Sequence, residues 1–109
     1  MSHETLAWLT ARDEGSPPAL TTRVRTLVAE AGGSSGEREA PAAVLVRATG
    51  QVLARLLREH ETARTSALEL LAADALATYA MEALGDAPEG LEAQCTQAMR
   101  YFAELADTA

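Results

Sequence analysis

The stretch from Pro41 to Leu84 constrains the fold more than any other part of the chain, because helix-forming residues run through it almost without interruption. The whole sequence holds 24 Ala and 15 Leu but only five Val and no Ile. Helices favour Ala, Leu, Glu and Arg, whereas strands favour β-branched and aromatic residues. No segment alternates apolar and polar residues as a strand would. The sequence therefore predicts an all-α fold, a single-domain antiparallel bundle of four to five helices over residues 1–109.

Apolar periodicity and the residues that begin and end helices divide this bundle into five predicted helices. Ser2 is the expected N-cap of a short first helix, and Ser16 followed by Pro17 is the expected start of the second. The Gly- and Ser-rich segment 32–40 is predicted to be a flexible loop. The helices are expected at about residues 3–12, 17–31, 41–61, 67–84 and 88–105.

The junction of the third and fourth helices has two interpretations. Ser66, with Glu69 three residues later, forms a capping box, which indicates a new helix starting at Ser66. No Gly or Pro interrupts the polar segment 58–66, so one continuous helix is the alternative. Within the third helix, Gly50 costs roughly 1 kcal/mol relative to Ala and suggests that another helix approaches closely there.

The net charge of −7 is unevenly distributed along the chain. Residues 1–40 hold six acids and four Arg, residues 41–65 hold two acids and four Arg, and residues 66–109 hold eight acids and one Arg. Such an acidic chain is poorly suited to DNA or to an anionic membrane surface, since both attract cations. No segment has the length and apolarity of a membrane span. With a single Cys95 and no signal-like start, we expect a cytoplasmic protein without a cofactor.

The predicted fourth helix is apolar on nearly all sides, which is typical of a central helix or of a subunit interface. The positive third helix and the acidic C-terminal half are complementary in charge. We therefore predict a non-enzymatic interaction or accessory protein that binds another protein or itself, most simply as a homodimer. The predicted interface comprises Arg47, Arg55, Arg58, Leu70, Asp74, Met81 and Leu84.

Two alternative functions remain open, and the first is enzymatic. Arg55 and His60 are spaced as Arg-x-x-x-x-His, which resembles the motif of the HEPN ribonucleases, a family of small α-bundles. The resemblance implies metal-independent cleavage of RNA by an Arg and a His drawn from two subunits, although Leu56 stands where a polar residue usually follows the Arg. RNA is a partner only under this hypothesis.

The second alternative is a helical bundle that binds a small apolar molecule against the fourth helix. A metal centre is not expected. Carboxylate-bridged di-iron bundles use a Glu-x-x-His spacing, and Leu57 stands three residues before His60.

Overall fold

A computed structural model describes residues 2–32, 40–59, 64–86 and 90–108. They form five helices and no strand: α1 (His3–Arg12), α2 (Pro18–Ala31), α3 (Pro41–Glu59), α4 (Arg64–Asp86) and α5 (Leu91–Thr108). The predicted all-α helical bundle is therefore confirmed. The predicted flexible loop lies outside the described residues, apart from its ends at Gly32 and Ala40.

The start of α2 differs from the prediction because two prolines follow each other. Ser2 caps α1 as expected, accepting a hydrogen bond from the backbone N–H of Thr5 at 3.2 Å. Ser16 does not cap α2; the cap position is Pro17, which is extended with φ −57° and ψ 138°. The ring of a proline forces the preceding residue out of the helical region. Pro18 therefore moves the start of α2 one residue beyond the predicted position.

An antiparallel hairpin of α3 and α4 forms the centre of the bundle. Arg55, near the end of α3, contacts Glu69, near the start of α4, at 3.2 Å. In one continuous helix, residues 14 apart in sequence would be about 21 Å apart. The continuous-helix alternative is therefore wrong. The prediction of two separate helices is confirmed. Their junction differs from the capping-box prediction, because α4 begins at Arg64 and Ser66 lies inside it.

The core lies mainly between α2, α3 and α4, and small side chains fill much of it. Leu45, Val52 and Leu76 are fully buried at its centre. Around them lie buried alanines of α3 and α4, namely Ala42, Ala48, Ala72, Ala73, Ala80 and Ala83. Alanine lets helix axes approach closely but contributes little apolar area. None of the described helices combines the length and the apolarity needed to cross a membrane.

Gly50 marks the close helix–helix approach that its place in α3 suggested. A Cβ atom built on Gly50 would lie 2.3 Å from Cε2 of Tyr101 and 2.5 Å from its hydroxyl oxygen. The ring of Tyr101 therefore lies directly on the backbone of α3. This contact fixes how α5 sits on the hairpin.

We expect Gly50→Ala to lower the free energy of unfolding by about 1 kcal/mol, because the new methyl group displaces Tyr101 and overpacks the contact. Gly85 is a matched control: it lies in α4 with nothing within 4 Å of a built Cβ. Gly85→Ala should stabilise the protein by about 0.5–1 kcal/mol through helix propensity alone. Urea unfolding followed by circular dichroism measures both changes.

The Tyr101→Ala background separates the effect of overpacking at Gly50 from the effect of helix propensity. Once the ring is absent, Gly50→Ala should become stabilising, as Gly85→Ala is. A Gly50→Ala variant that is destabilising in both backgrounds would show that Tyr101 is not what Gly50 accommodates.

Candidate functional site

Glu69 joins three helices through two arginines. Arg23 of α2 donates from Nε to one carboxylate oxygen of Glu69 and from Nη2 to the other, the second bond being 3.1 Å long. Arg55 of α3 donates from Nη2 to that same second oxygen at 3.2 Å. The Glu69 side chain is only 19% exposed. Such bidentate pairing fixes geometry as well as charge, so this cluster sets the positions of α2, α3 and α4 relative to one another.

The cluster also shifts the ionisation of its members. The hydrogen bonds from Arg23 hold the pKa of Glu69 below its ordinary value, against partial burial, which acts in the opposite direction. The same hydrogen bonds raise the pKa of Arg23. Glu69 is therefore held as a carboxylate, which suits a structural ion pair rather than proton transfer near neutral pH.

The predicted arginine stripe of α3 is largely engaged within its own chain. Arg47 donates from Nε to the backbone carbonyl oxygen of Ala31 at 2.8 Å, at the C-terminal end of α2. Arg55 pairs with Glu69. Of the three predicted interface arginines, Arg58 is the exposed one. Arg47 and Arg55 thus stabilise the fold. Of the arginines predicted to contact a partner, Arg58 is the one on this helix that remains exposed for that role.

His60 lies outside the described residues, so its distance from Arg55 is not tested and the ribonuclease hypothesis stays a prediction. Arg55 itself is described. Its contact with Glu69 would have to break, or be shared, before its guanidinium could bind a phosphate group.

A second polar cluster fastens α1 to the edge of α4. Arg12 contacts Glu82 at 3.1 Å and Asp86 at 3.0 Å, and its guanidinium carbon lies 3.9 Å from the ring centroid of Trp8. The indole N–H of Trp8 donates to Asp86 at 3.0 Å, and the Trp8 ring packs edge-on against Tyr79. Glu82 and Asp86, the acidic residues near the end of α4, are therefore engaged by α1.

Large apolar side chains remain exposed on the side of α4 that borders α5. Leu70 is 55% exposed and Met81 is 48% exposed, as the predicted interface requires. Both lie within about 60° of Leu84 around the helix axis. Leu84 lines a groove together with residues of α5, which shows the direction in which α5 lies. Leu84 itself is only 3% exposed, so its predicted place on the outer interface is wrong: it belongs to the core.

Met99 of α5 is exposed as well, beside the polar residues Glu92, Thr96 and Arg100. It is 64% exposed and lies about 200° around the helix from Tyr101, which contacts α3. Met99 therefore lies on the side of α5 that faces away from α3. We define the α4–α5 surface as Leu70, Asp74, Met81, Met99 and Arg100. The sequence analysis missed Met99 and Arg100, although the apolar stripe of the predicted fifth helix was a usable signal for Met99.

A groove opens on the opposite flank of α5, between α5 and the first two turns of α3. It offers about 450 Å³ of space, and Val46, Leu84, Ala98 and Tyr101 are among its lining residues. The rim is polar, with Gln94, Gln97 and Arg47. The sequence analysis did not predict this groove.

Within the described ranges, no three His, Cys, Asp or Glu side chains converge as metal ligands would. The chain matches no protein-family model, no curated protein and no solved structure. Functional inference therefore rests on the surfaces described above.

We expect Glu69→Gln to lower the free energy of unfolding by roughly 1–3 kcal/mol, because it leaves two partly buried arginines without their shared carboxylate. Glu82→Gln is the matched control, since Glu82 is 47% exposed and pairs with Arg12 at the surface. It should cost no more than about 1 kcal/mol. Equal losses in urea unfolding would contradict the role assigned to the Glu69 cluster.

The lowered pKa of Glu69 also predicts a pH dependence of stability. The unfolded chain takes up a proton at a higher pH than folded Glu69 does. The contribution of Glu69 is therefore complete above its unfolded pKa of about 4.3 and is lost as the pH falls through the lower folded pKa. Below about pH 5, the free energy of unfolding should therefore fall less steeply with decreasing pH in Glu69→Gln than in the parent protein.

Proposed function

We propose that this chain is a non-enzymatic interaction protein that forms a homodimer through the α4–α5 surface. The observation that carries the proposal is the exposure of three large apolar side chains, Leu70 and Met81 on α4 and Met99 on α5. Burying apolar area yields about 25 cal/mol per Å². A second copy that covered these side chains would supply burial that the alanine-rich core of one chain lacks.

The charges on the surface favour a second copy over an unrelated partner. Asp74 lies between Leu70 and Met81 on α4, and Arg100 follows Met99 on α5; both are exposed. In a twofold dimer the same patch meets itself, so each contact between unlike residues occurs twice. Asp74 of one copy can thus pair with Arg100 of the other, and the symmetry makes this pair twice; a second acid, Glu92, is exposed beside Met99 and Arg100.

The proposed dimer also gives a role to the position of Arg100 in the chain. Arg100 is the only cation among residues 66–109, which hold eight acids. Two copies of the acidic C-terminal half would repel each other over most of their surface. Arg100 gives α5 one position at which a second acidic copy is attracted, and that fixes the register of the contact.

We expect the protein to be a dimer in light scattering and in native mass spectrometry over a concentration series. Leu70→Glu and Met99→Glu should each weaken the dimer by about tenfold or more, because a buried unpaired carboxylate opposes association. Leu6→Glu is the control, since Leu6 is also exposed and apolar but lies on α1. It should leave the dimer unchanged. A monomer at every concentration would refute the proposal.

Charge reversal tests the pairing of the two copies. Asp74→Arg and Arg100→Asp should each weaken the dimer, since each places like charges opposite one another. The double variant should restore it. Weakening that persists in the double variant would show that the two residues do not face each other.

A further inference from the structure

The groove between α3 and α5 is a separate feature of the molecule, and it does not depend on the proposed dimer. It lies on the Tyr101 flank of α5, whereas Met99 lies on the other flank. Its space of about 450 Å³ falls within the range typical of small-molecule sites. Three helices contribute to its walls, through Val46, Leu84 and Ala98 among others.

Tyr101 gives the groove a firm wall. Its ring lies against the backbone of α3 because Gly50 has no side chain to hold it off. The wall formed by the end of α4 is equally fixed, since Leu84 is part of the core. These walls belong to the fold itself, so the groove is formed before any ligand arrives, and preformed sites bind at lower entropic cost.

The size of the groove selects the kind of occupant. Its lining residues extend from Ala40 to Arg47 on α3 and from Gln94 to Tyr101 on α5. At 1.5 Å per residue, each wall is only about 10 Å long, which would hold no more than the anchors i to i+7 of a partner helix. The space of about 450 Å³ lies within the range of small-molecule sites, so the groove suits a small molecule.

The chemistry of the lining selects a neutral ligand. The inner walls are apolar, and the exposed amide of Gln97 lies at the rim. Among the described lining residues, the charged side chain is Arg47, which already donates from Nε to the carbonyl of Ala31. That contact commits it to the C-terminal end of α2, where a helix favours a cation.

We propose that this groove binds a small, neutral, mainly apolar molecule whose polar group meets the amide of Gln97. This site makes the alternative of a ligand-binding helical bundle more specific. It places the ligand between α3 and α5, with α4 contributing Leu84 at the base.

A pair of fluorescent probes tests the proposal on the full chain. Phenylnaphthylamine is neutral, and anilinonaphthalene sulfonate is the same ring system with one negative charge. The neutral probe should bind saturably at one site per chain, and the sulfonate should bind about tenfold or more weakly, because the site is neutral and the chain is acidic. Equal or tighter binding of the sulfonate would overturn the assignment of a neutral ligand.

Two alanines provide matched variants that locate the probe. Ala43 is exposed and lines the groove, whereas Ala93 is exposed on α5 and is not among the lining residues. Ala43→Phe should weaken binding of the neutral probe by about tenfold or more by occupying the space, while Ala93→Phe should not. Circular dichroism should show both variants folded.

Met99→Glu separates the groove from the α4–α5 surface. The variant should retain probe binding even where the dimer is lost, since Met99 does not line the groove. Binding that is lost in Met99→Glu and kept in Ala43→Phe would move the probe to the other flank of α5 and refute the proposal. The oligomeric state, measured separately, reports only on the proposed dimer.

Discussion

The close packing of α3 on α4 through small side chains is the constraint on which the rest of the structure depends. Ala48, Ala72 and Ala80 are buried in or around this hairpin and let the two helices approach each other. The same small side chains bury little apolar area per residue. Larger side chains such as Leu70 and Met99 are left at the surface. A thin core and an apolar exterior are thus two results of the same composition.

Glu69 compensates for part of what such a core lacks. A carboxylate shared by Arg23 and Arg55 connects the three central helices. Partial burial strengthens the pairing, since exposed ion pairs contribute little. The cost is that each member needs the others: removing one leaves unpaired charge in a poorly solvated position. The arginines that the sequence suggested for a partner are thereby used inside the chain.

The last helix, α5, carries the two features with functional potential. One side, marked by Met99, leaves a large apolar side chain exposed, and the other, marked by Tyr101, forms a wall of the groove. Gly50 connects them, because the seating of Tyr101 on α3 sets the rotation of α5 about its own axis. A change at Gly50 would therefore affect both surfaces at once, whereas Ala43 and Met99 affect one each.

The sequence by itself determined the all-α class, the bounds of α1 and the close approach at Gly50, because propensity, capping and periodicity are local properties. It misplaced the starts of α2 and α4, and the start of α2 depended on a second proline. Only the tertiary structure decided which apolar residues of α4 face inwards, since a helix apolar on nearly all sides has no unique buried face. It alone joined Arg23 to Glu69 and formed the groove beside α5, because these depend on how distant helices pack against one another.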